Sequence, residues 1–375
     1  MTSFFPTMRM KTVLHEGVDD MYNIHCHAGN LCRTAIMESL EEVLTLRSAK
    51  DTKQPISIAD FGTADGLASL SLMNEMIDEI KGRLGEKQAI VVYYNDQPMN
   101  DFNRLSNVIH GGGQNSGLTL RSNVYPAIIP RSMYNVCLPD NSLDVAFSSV
   151  ATHYLSKQVC QIQNGVCFSD ADKTEQFLIQ EQAKDDWRTF VISRGREIKP
   201  GGFIITMNIS SDEKGDEAMI VDKGTTCIGS FVTDMARNGV ITQEEYRATN
   251  FNSYYLRKAA DFVEPFISDI PEIRELGLEL VSIKSMKHYL RHPTFDIVNK
   301  DNTDKMEYSQ RIVSSTYPWM YHVVHDGLSN SRTEEEKRVI IDQYFNRLRD
   351  YVYVHSDHKP YLIFTEVVIK KRKTV

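Results

Sequence analysis

Residues 56 to 66 read Ile-Ser-Ile-Ala-Asp-Phe-Gly-Thr-Ala-Asp-Gly. Ile56, Ile58 and Ala59 form a short apolar run beginning after Pro55, the pattern of a buried strand. The run ends in Asp60-x-Gly62-x-x-x-Gly66, and an apolar, helix-patterned segment from Leu67 to Ile80 follows. A strand that turns through glycines into a helix bares backbone N–H groups and admits a ligand closely. The spacing is neither the dinucleotide G-x-G-x-x-G nor the phosphate loop G-x-x-x-x-G-K-[ST]. Strand–turn–helix units of this kind are common, so the neighbouring segments decide.

Working outward, Ala89 to Tyr94 is β-branched and aromatic, a second buried strand, and it ends at Asn95-Asp96-Gln97-Pro98. An acid at the tip of the second strand is where α/β nucleotide folds bind ribose hydroxyls, because a carboxylate accepts two hydrogen bonds. Val124–Ile129 and the run around Asp144–Ser149 supply further strands, the latter opening onto serines and then His153-Tyr154. Residues 174 to 198 read as a long helix stopped by Lys199-Pro-Gly-Gly202, followed by the strand Phe203–Met207. The last strands fall at Leu278–Met286 and Tyr361–Lys371. The pattern predicts an α/β fold, a doubly wound, mostly parallel sheet of the Rossmann-like kind. Its core takes residues 35–210, 278–290 and 358–375. The aromatic-rich insertions at 211–277 and 291–357 predict a helical cap over the ligand edge. No linker or repeat interrupts the chain, so residues 1–375 are expected to form one compact unit.

Bulk composition narrows the partners. A content of 41% hydrophobic and 25% charged residues is ordinary for a globular protein. A formal net charge of −8 argues against a nucleic-acid surface. The six cysteines form no C-x-x-C pair, which points to reduced thiols. No signal-peptide core and no apolar run of about 18 residues is present. The expectation is a cytoplasmic protein with neither membrane nor nucleic acid as partner. His25-x-His27 beside Cys26 invites a metal, but no second Cys/His pair stands at zinc spacing, so none is expected.

Several segments, in order, resemble the plant salicylic acid/benzoic acid/theobromine (SABATH) carboxyl methyltransferases over most of the chain. The looser D-x-G-x-x-x-G of Asp60, Gly62 and Gly66 is similar to that family's first S-adenosylmethionine (SAM) motif. Tyr94-Asn-Asp96-Gln-Pro-Met-Asn-Asp101-Phe102-Asn103 is similar to its N-D-x-P-x-N-D-F-N segment. Pro130-Arg-Ser132-Met133-Tyr134 resembles its G-S-F-Y turn, and Ser148 to Ser156 its S-S-x-S-x-x-W-L-S. Glu181 to Gly202 resembles a helix ending in V-P-G-G, and Phe251-Asn-Ser-Tyr254-Tyr255 resembles F-N-x-P-Y-Y.

The resemblance implies a class I methyltransferase fold with SAM as cofactor. Asp60, Gly62 and Gly66 would shape its pocket, and Asp96 would hold the ribose. Gln97, Ser132 and Met133 would lie beside the adenine, with Ser148 near the methionine moiety. Tyr22 and Cys26 fall where the family has Y-x-x-N-S, whose serine touches SAM. Family members hold the substrate carboxylate with an N-terminal glutamine and the tryptophan of W-L-S. Here the tryptophan position is Tyr154, the glutamine falls near Gly29 or Asn30, of which only Asn30 could replace it, and His25 is another candidate donor. Tyr254, Tyr255, Ile312 and Trp319 would line the acceptor pocket, and a homodimer is implied.

Methyl transfer from a sulfonium needs a nucleophile held in line with the methyl carbon. A carboxylate is already ionised at pH 7 and needs no base. Tyr154, His153, Asn30 and His25 are therefore given orienting roles toward a small-molecule carboxylic acid, small or lipid-like. Two alternatives stay open: N-methylation of a heterocycle, and a SAM-fold binding protein without activity.

Overall fold

The computed structural model describes residues 29–47, 54–111, 117–118, 121–213, 221–222, 225–249, 254–289, 302–356 and 361–373. A seven-stranded sheet lies at its centre. Its strands are β1 (Ile56–Phe61), β2 (Ile90–Asp96), β3 (Val124–Pro130), β4 (Leu143–Ser149), β5 (Ile198–Ser210), β6 (Leu278–Tyr289) and β7 (Tyr361–Lys371). They are ordered β3-β2-β1-β4-β5-β7-β6. The first five pair in parallel, and β7 runs antiparallel to both β5 and β6. The chain moves outward from β1 in one direction and from β4 in the other. The carboxyl ends of these two strands therefore flank the crevice at which such sheets bind ligands.

Every residue of β1 is buried, as a strand covered on both faces must be. On one face pack α1 (Arg33–Leu46), α2 (Leu67–Leu84) and α3 (Phe102–Ile109), with Ile36, Leu40, Met73, Ile77, Val92 and Leu105 in one core. The buried positions of α2, among them Leu72, Met73, Met76, Ile77 and Ile80, recur at helical spacing. The opposite face carries α4 (Lys173–Glu197), whose N-terminus is fixed by reciprocal bonds between Asp172 and Glu175.

The cap consists of α5 (Cys227–Arg237), α6 (Gln243–Ala248), α9 (Asn302–Gly327) and α10 (Glu334–Val354). Its own core contains Phe231, Tyr246, Tyr308, Ile312, Met320 and Tyr344. The buried Glu245 carboxylate accepts from Nε and Nη2 along one edge of the Arg332 guanidinium, which holds its pKa down at about 2.

The cap is smaller than the 211–277 insertion read from the sequence. Within it, α7 (Ala259–Ile267) and α8 (Pro271–Glu275) lie on the sheet instead, where Phe262 and Ile273 join Trp187 and Phe190. The Trp187 indole meets the Phe262 ring edge-on at 5.0 Å and donates to the Phe262 carbonyl at 3.1 Å. Periodicity shows that a helix has an apolar face but not which partner covers it. No described helix is long and apolar enough to cross a membrane.

Candidate active site

At the tip of β1 the chain leaves the sheet through Gly62 (φ +81°) and Gly66 (φ +76°), the left-handed region that favours glycine. A Cβ on Gly62 would lie 2.3 Å from Cβ of Ala151, so the β1 turn rests directly against the turn after β4. The N–H groups of Gly62 and Thr63 donate to the Asn95 carbonyl at 2.9 and 3.1 Å. The Asn95 amide donates in turn to the carbonyls of Ile129 (3.0 Å) and Arg131 (2.7 Å). The tips of β1 and β2 are thereby tied by main-chain atoms, and those of β2 and β3 by the Asn95 side chain.

Two carboxylates face this turn. Burial pushes Asp60 up to about 6, with the nearby Asp96 charge adding to the effect. Burial also pushes Asp96 up to about 6, against the N–H groups of Ala64 (2.6 Å) and Gln97 (2.7 Å), which it accepts. A buried and a half-buried carboxylate, with no cationic partner among the described residues, suit a ligand that carries positive charge and hydroxyl donors. The place a Cβ would take on Gly66 is likewise filled, by Leu105 Cδ1 at 2.6 Å, so both glycines are required by the close packing of the turn. At the tip of β4, the buried Ser149 hydroxyl has no hydrogen-bond partner among the described residues. This donor set fits SAM, whose sulfonium and ammonium groups are positive and whose ribose supplies hydroxyls.

The loop after β3 forms the next wall and holds Ser132 and Met133. Its carbonyls at Met133 and Asn135 accept from Arg194, whose Nε also donates to Glu197 at 2.7 Å. Glu197 accepts the N–H groups of Cys137 and Leu138 (the latter at 3.0 Å), and the Arg194 guanidinium lies 3.9 Å above the Phe61 ring. Both side chains of the ion pair are fully buried. Sequence reading missed this pair, because an Arg and a Glu three residues apart on a helix look like a solvated face.

After β4, the Ser148 hydroxyl donates to the Phe61 carbonyl at 2.8 Å. Val150 then adopts φ +56°, an outlier for a β-branched residue and a mark of local strain. His153 and Tyr154 follow, both substantially buried, with ring centroids 4.1 Å apart and planes tilted by 41°. Tyr154 forms a backbone bridge to Tyr254, and the Tyr255 N–H donates to the His153 carbonyl at 2.8 Å. The two aromatic pairs read from sequence are therefore side by side. Burial raises the Tyr154 phenol, keeping it protonated and able to donate.

The remaining sequence-derived residues divide in three. Asn30 lies exposed in a helical turn before α1, and Gly29 beside it faces the Ala68 carbonyl at the start of α2. Cys32 follows, its thiol pushed up to about 12 by burial, with the charges of Glu366 and Asp60 adding. Tyr255 packs into a separate small core with Leu155 and Ile179, meeting the Phe168 ring at 5.1 Å, and Ile312 belongs to the core of the cap. Tyr22, His25 and Cys26 lie outside the described residues, as does the side chain of Trp319.

With this geometry in view, comparison with known proteins gives a family. A model described as SAM dependent carboxyl methyltransferase matches residues 15–370. The chain belongs to this family. It is 26% identical over 318 residues to the methyltransferase LUC1 of Fusarium sp, covering 82% of this chain and 81% of that one. It is 24% identical over 311 residues to loganic acid O-methyltransferase of Catharanthus roseus, with 75% and 78% covered. A solved structure of loganic acid methyltransferase with SAH superposes with a TM-score of 0.68 at 19% identity, covering 96% of this chain and 99% of that one. The fold is that of the class I methyltransferases, the cofactor is SAM, and the enzyme is a carboxyl O-methyltransferase.

Proposed function

We propose that the acceptor is a small or lipid-like carboxylic acid whose carboxylate is oriented by Tyr154, His153 and Asn30, with His25 as a further donor. The reading is supported above all by the buried His153–Tyr154 pair, one turn beyond Ser148 at the β4 tip and bridged to Tyr254. A raised phenol donates to a carboxylate and takes no proton from it, which suits an acceptor already ionised at pH 7. Bound SAM supplies the methyl group on a sulfonium. The protein's part is to aim a carboxylate oxygen at that carbon and exclude water, catalysis by positioning and desolvation.

Asp96 holds the ribose, Asp60, Gly62 and Gly66 shape the turn beneath it, and Gln97, Ser132 and Met133 lie against the adenine. Ser148 lies toward the methionine end, Tyr22 and Cys26 are further contacts to SAM, and Tyr254 and Trp319 set the acceptor's shape; Tyr255 and Ile312, packed in separate cores, support that wall from behind. The relative named loganic acid O-methyltransferase supports an acid of modest size. A cytoplasmic homodimer completes the proposal, and sedimentation of the full chain tests the dimer.

The acceptor assignment is tested by incubating the enzyme with methyl-labelled SAM and a panel of acids from short aromatic to long-chain. Label that moves to an acid and is released by mild alkali marks a methyl ester. Label that survives alkali, or that moves only to ring nitrogens, would contradict the proposal.

A further inference from the structure

The turn that presents His153 and Tyr154 is not self-supporting. Val150 is strained, and its N–H donates to the Met207 carbonyl at 2.7 Å. The Thr152 hydroxyl donates to Oδ1 of Asn208 on β5, and Asn208 Nδ2 donates to Oγ1 of Thr206 (2.9 Å) and to the Thr365 carbonyl (3.0 Å). The Thr152 carbonyl accepts from two directions. One donor is the fully buried Arg257, which follows the Tyr254–Tyr255 segment and also donates to the Ala183 carbonyl. The other is the hydroxyl of Tyr134, which lies 3.2 Å away and also faces the Tyr154 carbonyl.

Tyr134 is the residue after Ser132 and Met133, and its own N–H donates to the Ser132 hydroxyl at 3.3 Å. One rigid phenol therefore spans from the loop beside the adenine to the two carbonyls that bracket His153. We infer that Tyr134 is a positioning residue that couples cofactor binding to the order of the acceptor turn: when the adenine fixes the 132–134 loop, the Tyr134 hydroxyl fixes residues 152–154. Strain at Val150 gives the turn something to relax into when the brace is absent. Coupling through such a contact is reciprocal, so an ordered acceptor turn favours the cofactor to the same degree. The inference rests on the reading that Ser132 and Met133 face the adenine.

The test is hydrogen exchange of the full-length enzyme with and without S-adenosylhomocysteine (SAH), comparing wild type with Tyr134→Phe, with SAH affinity measured by calorimetry. In the wild type, SAH is expected to slow exchange in both 130–138 and 150–156, the second by about fivefold or more. In Tyr134→Phe, protection of 130–138 remains and that of 150–156 is lost, while SAH affinity falls by no more than the same factor of about five that reciprocal coupling sets. Should the Phe variant fail to fold, Tyr134→His, too short to reach, carries the same expectations. Protection of 150–156 that persists without the hydroxyl would overturn the inference. So would wild-type protection confined to 130–138, which leaves the adenine reading intact. SAH that binds but protects neither segment would remove the adenine reading itself.

Discussion

On the cofactor wall, the groups that shape the site are held by neighbouring main chain: Asp96 by the N–H groups of Ala64 and Gln97, and the Gly62 turn by the Asn95 carbonyl. On the acceptor wall, Thr152 to Tyr154 are held by side chains from Tyr134, Asn208 and Arg257, each from a different part of the chain. A wall built from adjacent strand tips of a parallel sheet tolerates change in distant residues. A wall braced by long-range side chains can be retuned by a single substitution far along the sequence. The difference suits an enzyme family that keeps one cofactor while its acceptors vary.

The largest expected effect comes from a place where the cofactor wall relies on a buried ion pair. Arg194→Met leaves Glu197 buried without its partner and should cost about 3–5 kcal/mol of stability in denaturant melts. Full stability in that variant would show that the adenine loop needs no such clamp. Asp96→Ala comes next. It should weaken SAM binding by about 1.5–3 kcal/mol, the scale of hydrogen bonds to a charged group, while leaving the His153–Tyr154 turn in place. Unchanged affinity by calorimetry would remove Asp96 from the site.

The same contrast explains what was legible in the sequence. Asp60, Gly62, Gly66 and Asp96 sit within a few residues of a strand end, so local spacing exposes them. All seven strands were readable, the five parallel ones as short apolar runs between turn signals and the last two as β-branched and apolar stretches. Arg194, Glu197, Asn208, Arg257 and Tyr134 do their work across distances in sequence that no spacing encodes. The placing of α7 and α8 on the sheet was hidden for the same reason.

Two smaller effects sharpen the comparison. Tyr154→Phe should slow methyl transfer while leaving SAM affinity alone, by about 0.5–1.5 kcal/mol, the worth of one hydrogen bond. Normal turnover would shift the orienting role to Asn30 or His25. The pH dependence falls on the cofactor wall. Asp96 must be ionised to accept two ribose hydroxyls, so SAH affinity should drop as pH falls through about 6. The stability of the free enzyme moves the other way. Asp60 and Asp96 hold protons more tightly folded, at about 6, than at their ordinary 3.8 when unfolded. Their contribution to stability therefore rises as pH falls from 6 to 4 and is lost as pH rises through 6. Thermal melts with and without SAH across this window would show the two trends diverging, and parallel curves would count against these carboxylates as the cofactor's partners.

The most direct test of the account is a crystal structure of the enzyme with SAH. The ribose hydroxyls are expected on Asp96, the adenine against Ser132 and Met133, and the thioether sulfur turned toward His153 and Tyr154. A crevice filled by side chains, or a thioether facing away from the His153–Tyr154 turn, would contradict it.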